Sequence, residues 1–438
     1  MRLQSTRGKS GEVNFKQALF QGLAPDGGLY YPVESKSLKQ LFTSLDSTHD
    51  FNHIAKAMSH AWLRDEWDET TIDAIVNRAF HFSPRCTSLT ESMHVLELFH
   101  GPSSAFKDFG ACFLASCMEE ILLEEERKAI ILVATSGDTG SAVAQAFFDK
   151  KNIDVVILYP SGRVSSLQEK QLTTLGKNIH ALEVAGAFDD CQRMVKEAFC
   201  DKALNSRLTL TSANSISIGR LFPQSFYYVY AYAQLKERLQ DNFVFCVPSG
   251  NFGNLTAGMY AWTWGLPVSR FIAATNINDV VPEYLKTKLF SPRASVHTLS
   301  NAMDVGNPSN FERMMMIFNG DGGKMAEMVH GEVVTDTQTR DEMGRLFHAS
   351  NIFVDPHTAV GITACQRYMD KPENKNTAGV ILSTAHPAKF IEIVEQATGN
   401  TPGIPDNLKK ALALTKQATK VNNTLSDLRE FLMDNFRH

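Results

Sequence analysis

Ala129-Ile130-Ile131-Leu132-Val133-Ala134-Thr135-Ser136-Gly137-Asp138-Thr139-Gly140-Ser141-Ala142-Val143-Ala144-Gln145-Ala146-Phe147-Phe148 is the stretch on which the fold turns. A continuous apolar, β-branched run of strand length leads into a hydroxyl- and glycine-rich turn, then into a plausible helix from Ser141. Hydroxyls and the free N–H groups of a helix start can hold an anion such as a carboxylate. The same residues also suit an ordinary capped turn, with Asp138 or Thr139 as the cap.

Outward from this unit, the pattern repeats. Further strand-like runs occur at Ile153–Tyr159, Asn178–Val184, Arg207–Thr211, Phe243–Val247, Phe271–Ala274 and Val380–Leu382, with mostly helix-length stretches between them. Strands alternating with helical patterns predict parallel sheets covered on both faces, an α/β fold. Residues 1 to about 95 differ, being rich in Trp, His and acidic residues and mostly helical in pattern, as in Phe51–Leu63 and Thr70–Phe82. The region from about 283 to 376 is less regular, and from Ala388 the chain predicts terminal helices.

The 438 residues exceed what one hydrophobic core supports, so two or three domains are expected. The 43 Lys and Arg stand against 48 Asp and Glu, a balance that argues against a nucleic-acid partner. The seven cysteines are odd in number and scattered, with no C-x-x-C pair; they suit reduced thiols, a cytoplasmic location and no zinc site. The N-terminus lacks the apolar core of a signal peptide. Asn242 to Ser269 carries no charge, but its Pro, Asn and Gly residues argue against a membrane span.

Three further motifs carry chemistry. His100-Gly101-Pro102-Ser103-Ser104-Ala105-Phe106-Lys107-Asp108-Phe109-Gly110 precedes a helical face, with Ser103 or Ser104 available as a cap and Lys107 in the first turn. A desolvated lysine near the positive end of a helix has a lowered pKa, as an amine nucleophile needs. Pro248-Ser249-Gly250-Asn251-Phe252-Gly253-Asn254 follows a strand-like run and can curl its N–H groups around a phosphate. It is neither a dinucleotide fingerprint nor a Walker loop. Ser383-Thr384-Ala385-His386-Pro387-Ala388-Lys389 places hydroxyls at a sheet's carboxyl edge. Each motif alone also suits ordinary turn chemistry. Together, a primed lysine, a phosphate cradle, a carboxylate loop and a hydroxyl at a sheet edge describe the needs of pyridoxal 5'-phosphate.

On these motifs the chain resembles the threonine synthase family along nearly its whole length. Ser5–Gly8, Gly22–Leu29, Leu96–Pro102 with Ala105–Gly110, Thr135–Gly140, Ser212–Ile216, Pro248–Gly253, Ala273–Asn276 and Thr384–Phe390 occur in the family's order. Ser217, where Asn is usual, and Pro102-Ser103, where Pro-Thr is frequent, depart from the pattern. The resemblance implies a fold-type-II pyridoxal enzyme: a mainly helical region at 1–95, a large cofactor-binding domain from 96–130 and 213–438, and a small α/β domain at 131–212 inserted in it. It implies conversion of O-phospho-L-homoserine and water to L-threonine and phosphate. The alternatives are a related phospho-lyase that ends at 2-oxobutanoate, or a non-catalytic protein on the same fold.

By the same resemblance, Lys107 holds the cofactor and then moves protons. Gly250, Asn251, Phe252, Gly253 and Asn254 hold its phosphate, and Thr384 serves its ring nitrogen. Ser136, Gly137 and Thr139 hold the substrate carboxylate, while Asp138 is expected to point away and cap its helix. Arg7, Lys9, Arg163 and Lys170 are candidates for the substrate phosphate.

Overall fold

The computed structural model describes residues 1–34, 36–135, 137–239 and 242–436. Its larger sheet runs, edge to edge, through Val329–Val333 (β12), Arg270–Thr275 (β11), Phe243–Pro248 (β10), Ala378–Ser383 (β13), Met93–Glu97 (β5) and Arg85–Ser88 (β4). All neighbours are parallel except the edge strand β4, which runs against β5. The smaller sheet is wholly parallel and runs through Thr419–Asn422 (β14), Ile179–Ala185 (β8), Ile153–Pro160 (β7), Ala129–Ala134 (β6) and Leu210–Thr211 (β9). Every residue of β6, β10 and β13 is buried, which is why these strands read as unbroken apolar runs rather than as alternation.

The N-terminal region is mainly helical, with helices at Phe51–Leu63 and Glu69–Ala79 near the expected bounds. It also carries a small antiparallel sheet of Arg2–Ser5 (β1), Val13–Asn14 (β2) and Tyr30–Pro32 (β3) that the pattern did not predict. Phe51 meets Phe109 edge-on at 5.1 Å between ring centroids, so this region packs directly against the helix that begins at Lys107. Gly110 of that helix admits the Arg220 carbonyl; a Cβ there would lie 2.5 Å from the oxygen.

The sheet pairing differs from the expected division at two points. β6 begins in the smaller sheet at Ala129, ahead of the expected boundary. Thr419–Asn422, expected with the large domain, pairs with Leu182–Ala185 as the smaller sheet's edge. The physical reason is apolar: Leu428, Leu432 and Phe436 join Leu182 and Val184 in one buried cluster. Among the described residues no helix is long and apolar enough to cross a membrane. The uncharged stretch from Asn242 instead forms β10, a turn and the helix Gly253–Thr263.

Candidate active site

Three neighbouring parallel strands, β10, β13 and β5, end at one edge of the larger sheet, and each releases a motif there. Beyond β5 the chain loops to Lys107, the first residue of the helix Lys107–Glu124. Beyond β13 it reaches Thr384, whose carbonyl accepts the Phe106 N–H at 2.8 Å, while the His386 N–H donates to Ser104 O at 3.1 Å. Beyond β10 comes the turn Ser249–Phe252. The crevice outside the carboxyl ends of parallel strands is where open α/β sheets bind ligands.

The lysine loop is held in a strained, specific shape. Ser104 adopts a left-handed φ of 57°, and Asn407 Nδ2 reaches Pro102 O and Ser104 Oγ, each at 2.9 Å. Neither Ser103 nor Ser104 caps the helix as expected. Phe106 occupies the cap position without a side-chain bond, and the Asp108 carboxylate reaches back to accept the Ser103 N–H at 2.9 Å. Burial raises Asp108 to about 6, opposed by the Ser103 hydrogen bonds.

Only 18% of the Lys107 side chain remains exposed. Burial lowers its amine to about 8; Asp138 opposes the shift, and Lys389 and Arg220 add to it. Asp138 does not point away or cap its helix. Gly137 takes the cap position, and Asp138 turns inward with Oδ2 4.0 Å from Lys107 Nζ. Its other oxygen accepts from Lys389 Nζ at 2.8 Å and Gln168 Nε2 at 3.1 Å. Burial alone would raise the Asp138 pKa, but the charges of Lys389 and Lys107 and these hydrogen bonds hold it well below the usual carboxylate range. Two buried cations make an inward carboxylate cheaper than one left alone.

In the Thr135–Gly140 turn, Thr135 Oγ1 accepts the N–H groups of Gly137 at 3.0 Å and Gly140 at 2.9 Å. Gly137 has a φ of 143°, and a Cβ there would lie 2.6 Å from the Gln168 amide. Its N–H being engaged, Gly137 gives the turn its shape, while Thr139 stands one residue beyond Asp138 in the first helical turn. Ser136 lies outside the described residues.

The glycine turn is a cradle. Among the described residues the N–H groups of Ser249 and Thr256 have backbone acceptors, and those of Gly250, Asn251, Phe252 and Gly253 have none. A Cβ on Gly250 would lie 2.7 Å from Met303 Cα and 2.9 Å from Ala302 O, and Phe252 is left-handed at φ 60°. Asn251 fixes the turn by donating to Ser215 Oγ at 3.0 Å and accepting the Ser309 N–H at 2.6 Å. Asn254 Oδ1 accepts the hydroxyls of Tyr227 and Tyr228, each at 2.7 Å, and its buried Nδ2 is left without a partner.

These features fit the residues expected to meet a phosphorylated aldehyde: an amine able to lose its proton near neutral pH, and a run of free N–H groups at a helix start. The sequence matches say the same. Residues 90–384 match a profile described as pyridoxal-phosphate dependent enzyme, 2–80 one described as threonine synthase N terminus, and 358–432 one described as threonine synthase, C-terminal. The chain is 43% identical to threonine synthase of Serratia marcescens, over 99% of both chains. The chain belongs to the threonine synthase family.

Crystal structures of family members superpose closely. Threonine synthase from Escherichia coli covers 100% of both chains at 39% identity with a TM-score of 0.90. The pyridoxal-phosphate-bound enzyme from Brucella melitensis covers 99% of both at 32% identity with a TM-score of 0.92. As a threonine synthase family member the chain is a pyridoxal-phosphate-dependent lyase of fold type II.

Sequence reasoning gave no role to Lys389, Gln168 and Arg220. The one signal for Lys389 is its setting in Pro387-Ala388-Lys389-Phe390, a cation enclosed by apolar residues. Of the cations considered for the substrate phosphate, Arg7 is engaged by Glu312 at 3.2 Å and Lys170 donates to the Leu414 carbonyl.

Proposed function

We propose that the protein converts O-phospho-L-homoserine and water to L-threonine and phosphate, with Lys107 as the residue that holds pyridoxal phosphate and moves the substrate's protons. The observation that supports this most is the delivery of Lys107, Thr384 and the Gly250–Asn254 turn by three adjacent strand ends. In this reading the free N–H groups of Gly250, Asn251, Phe252 and Gly253, with Asn254 behind them, hold the cofactor's phosphate, and the Thr384 hydroxyl serves its ring nitrogen. When bound, the cofactor supplies an electron sink for negative charge on the substrate's carbons.

The chain's own residues supply the rest. With its amine lowered to about 8, Lys107 is partly neutral near neutral pH and can take a proton from the substrate's α-carbon and then from its β-carbon. Loss of the γ-phosphate, delivery of a proton to the γ-carbon, addition of water at the β-carbon and return of a proton to the α-carbon complete the reaction. Thr139 holds the substrate carboxylate on the turn that Gly137 shapes. The larger sheet with residues 96–128 and the smaller sheet with 129–212 and the C-terminal strand form the two domains that face each other across Lys107 and Asp138. The seven cysteines, all free, suit a cytoplasmic enzyme.

The test is a product assay on the purified full-length chain with O-phospho-L-homoserine. Phosphate and L-threonine are expected in equal amounts. 2-Oxobutanoate without threonine would replace this reading with that of a phospho-lyase, and a chain that takes up no cofactor would remove both.

A further inference from the structure

Lys389 and Asp138 form a buried ion pair one contact away from Lys107. Lys389 Nζ has no exposure, lies 2.8 Å from Asp138 Oδ1 and donates to Ser103 O at 2.9 Å. It therefore ties together three segments: the turn after β13, the start of the helix Asp138–Phe147, and the loop that carries Lys107. Gln168, from the helix Ser166–Thr173, adds its bond to the same carboxylate oxygen. The second oxygen, Oδ2, is the one 4.0 Å from Lys107 Nζ.

We propose that Lys389 and Asp138 are a positioning pair that sets the charge of Lys107: Asp138 offers the amine a counter-charge, and Lys389 withholds most of it. The proposal rests on the reading of Lys107 as the reactive amine, but its test does not. Buried carboxylates with a single cation as partner tie that cation's proton tightly. Here the carboxylate is shared, so the nearer, hydrogen-bonded cation takes the larger part and Lys107 is left free to lose its proton. The charged groups facing Lys107 are Asp138 from the smaller sheet's helix, Lys389 from the turn after β13, and Arg220 from the short helix Ile218–Leu221. Arg220 donates to Ala213 O at 2.9 Å, apart from the pair, so it stays a fixed background when the pair is altered.

Opposite-signed shifts follow, which a merely structural role would not give. Lys389→Met leaves Asp138 to Lys107 alone and raises the pH at which Lys107 loses its proton by at least about one unit. Asp138→Asn leaves two uncompensated cations and lowers it by a similar amount. Lys389→Arg, which keeps the charge, and the double variant Asp138→Asn with Lys389→Met both return it toward the parent.

The measurement is competitive acetylation of Lys107 in the full-length chain stripped of cofactor, followed over pH and read by peptide mass spectrometry. The visible absorbance of the holoenzyme over the same pH range provides a second readout. Shifts of opposite sign in the two single variants support the proposal. Equal shifts in one direction, or none, overturn it. Should Lys389→Met fail to accumulate as soluble protein, Asp138→Asn decides alone: a fall in the midpoint supports the pair's role, and no change or a rise overturns it. Absence of turnover in the parent chain with the shifts intact would count against the proposed reaction and not against the pair.

Discussion

At the scale of single residues, Lys107 carries the clearest expectation. Lys107→Ala should lower turnover by at least about a hundredfold and abolish the visible absorbance of the lysine-bound cofactor, with far-ultraviolet circular dichroism unchanged. Gly250→Ala puts a methyl group 2.7 Å from a backbone carbon and 2.9 Å from a backbone oxygen, neither of which can swing aside. It should destabilise the fold by about 1–3 kcal/mol in urea unfolding and weaken cofactor affinity at least about tenfold.

Asp108 makes a pH prediction. Its carboxyl sits at about 6 in the folded chain against an ordinary value of 3.8, so the folded state binds more protons between these values. The contribution to stability is present below pH 3.8 and is lost as pH rises through 6. Asp108→Asn, which keeps an acceptor for the Ser103 N–H, should remove that loss. Compared at about pH 4 and about pH 7, the parent's decline in unfolding free energy should exceed the variant's by on the order of 2 kcal/mol.

Lys107 and Gly250 were legible because a lysine after Phe106 at a helix start and a glycine after a strand are local patterns. The orientation of Asp138 was not. A carboxylate at a helix start is ordinarily a cap, and only the distant Lys389 and Gln168 turn it inward.

At the scale of elements, the cradle depends on a relay that begins a strand away. Asp355 caps the helix Pro356–Met369 and accepts from His357 Nδ1 at 2.8 Å; His357 Nε2 then accepts the Ala302 N–H at 3.1 Å. Ala302 lies in the short 3₁₀ turn Asn301–Met303 that backs Gly250. His357→Leu should leave the Ala302 N–H unsatisfied while Asp355 keeps its helix-cap bond, cost about 1–3 kcal/mol in urea unfolding, and loosen cofactor binding without altering the pH dependence of Lys107.

The strands β6, β10 and β13 were plain in the sequence because both faces are buried and every residue is apolar or small. β5 and β12 were not, because His94 and Glu97 in one, and His330, Gly331 and Glu332 in the other, break the run. His94 is nevertheless buried, with Nδ1 2.9 Å from Ser88 Oγ on β4, a partner that no local pattern announces.

At the scale of the whole molecule, the two parallel sheets were anticipated, and the path of the C-terminus was not. Thr419–Asn422 has little apolar character, and its place is fixed by the helix that follows it. That helix, Leu425–Asn435, buries Leu428 and Leu432 against the smaller sheet. A chain ending at Ala418 would uncover the edge of β8 and lose those side chains, each worth about 1.5–3 kcal/mol when fully buried. It should unfold at lower urea concentration and bind a hydrophobic dye in its folded baseline; an unchanged midpoint would mean that the edge contributes nothing.

The same edge bears on how the protein is made. A ribosome emits β6, β7 and β8 well before Thr419–Asn422, so throughout elongation the nascent smaller sheet carries an unpaired rim and an open apolar seam. Closure of that rim has to wait until Thr419–Asn422 has been made, long after the sheet itself has emerged, and until then this half of the molecule stays open to self-association.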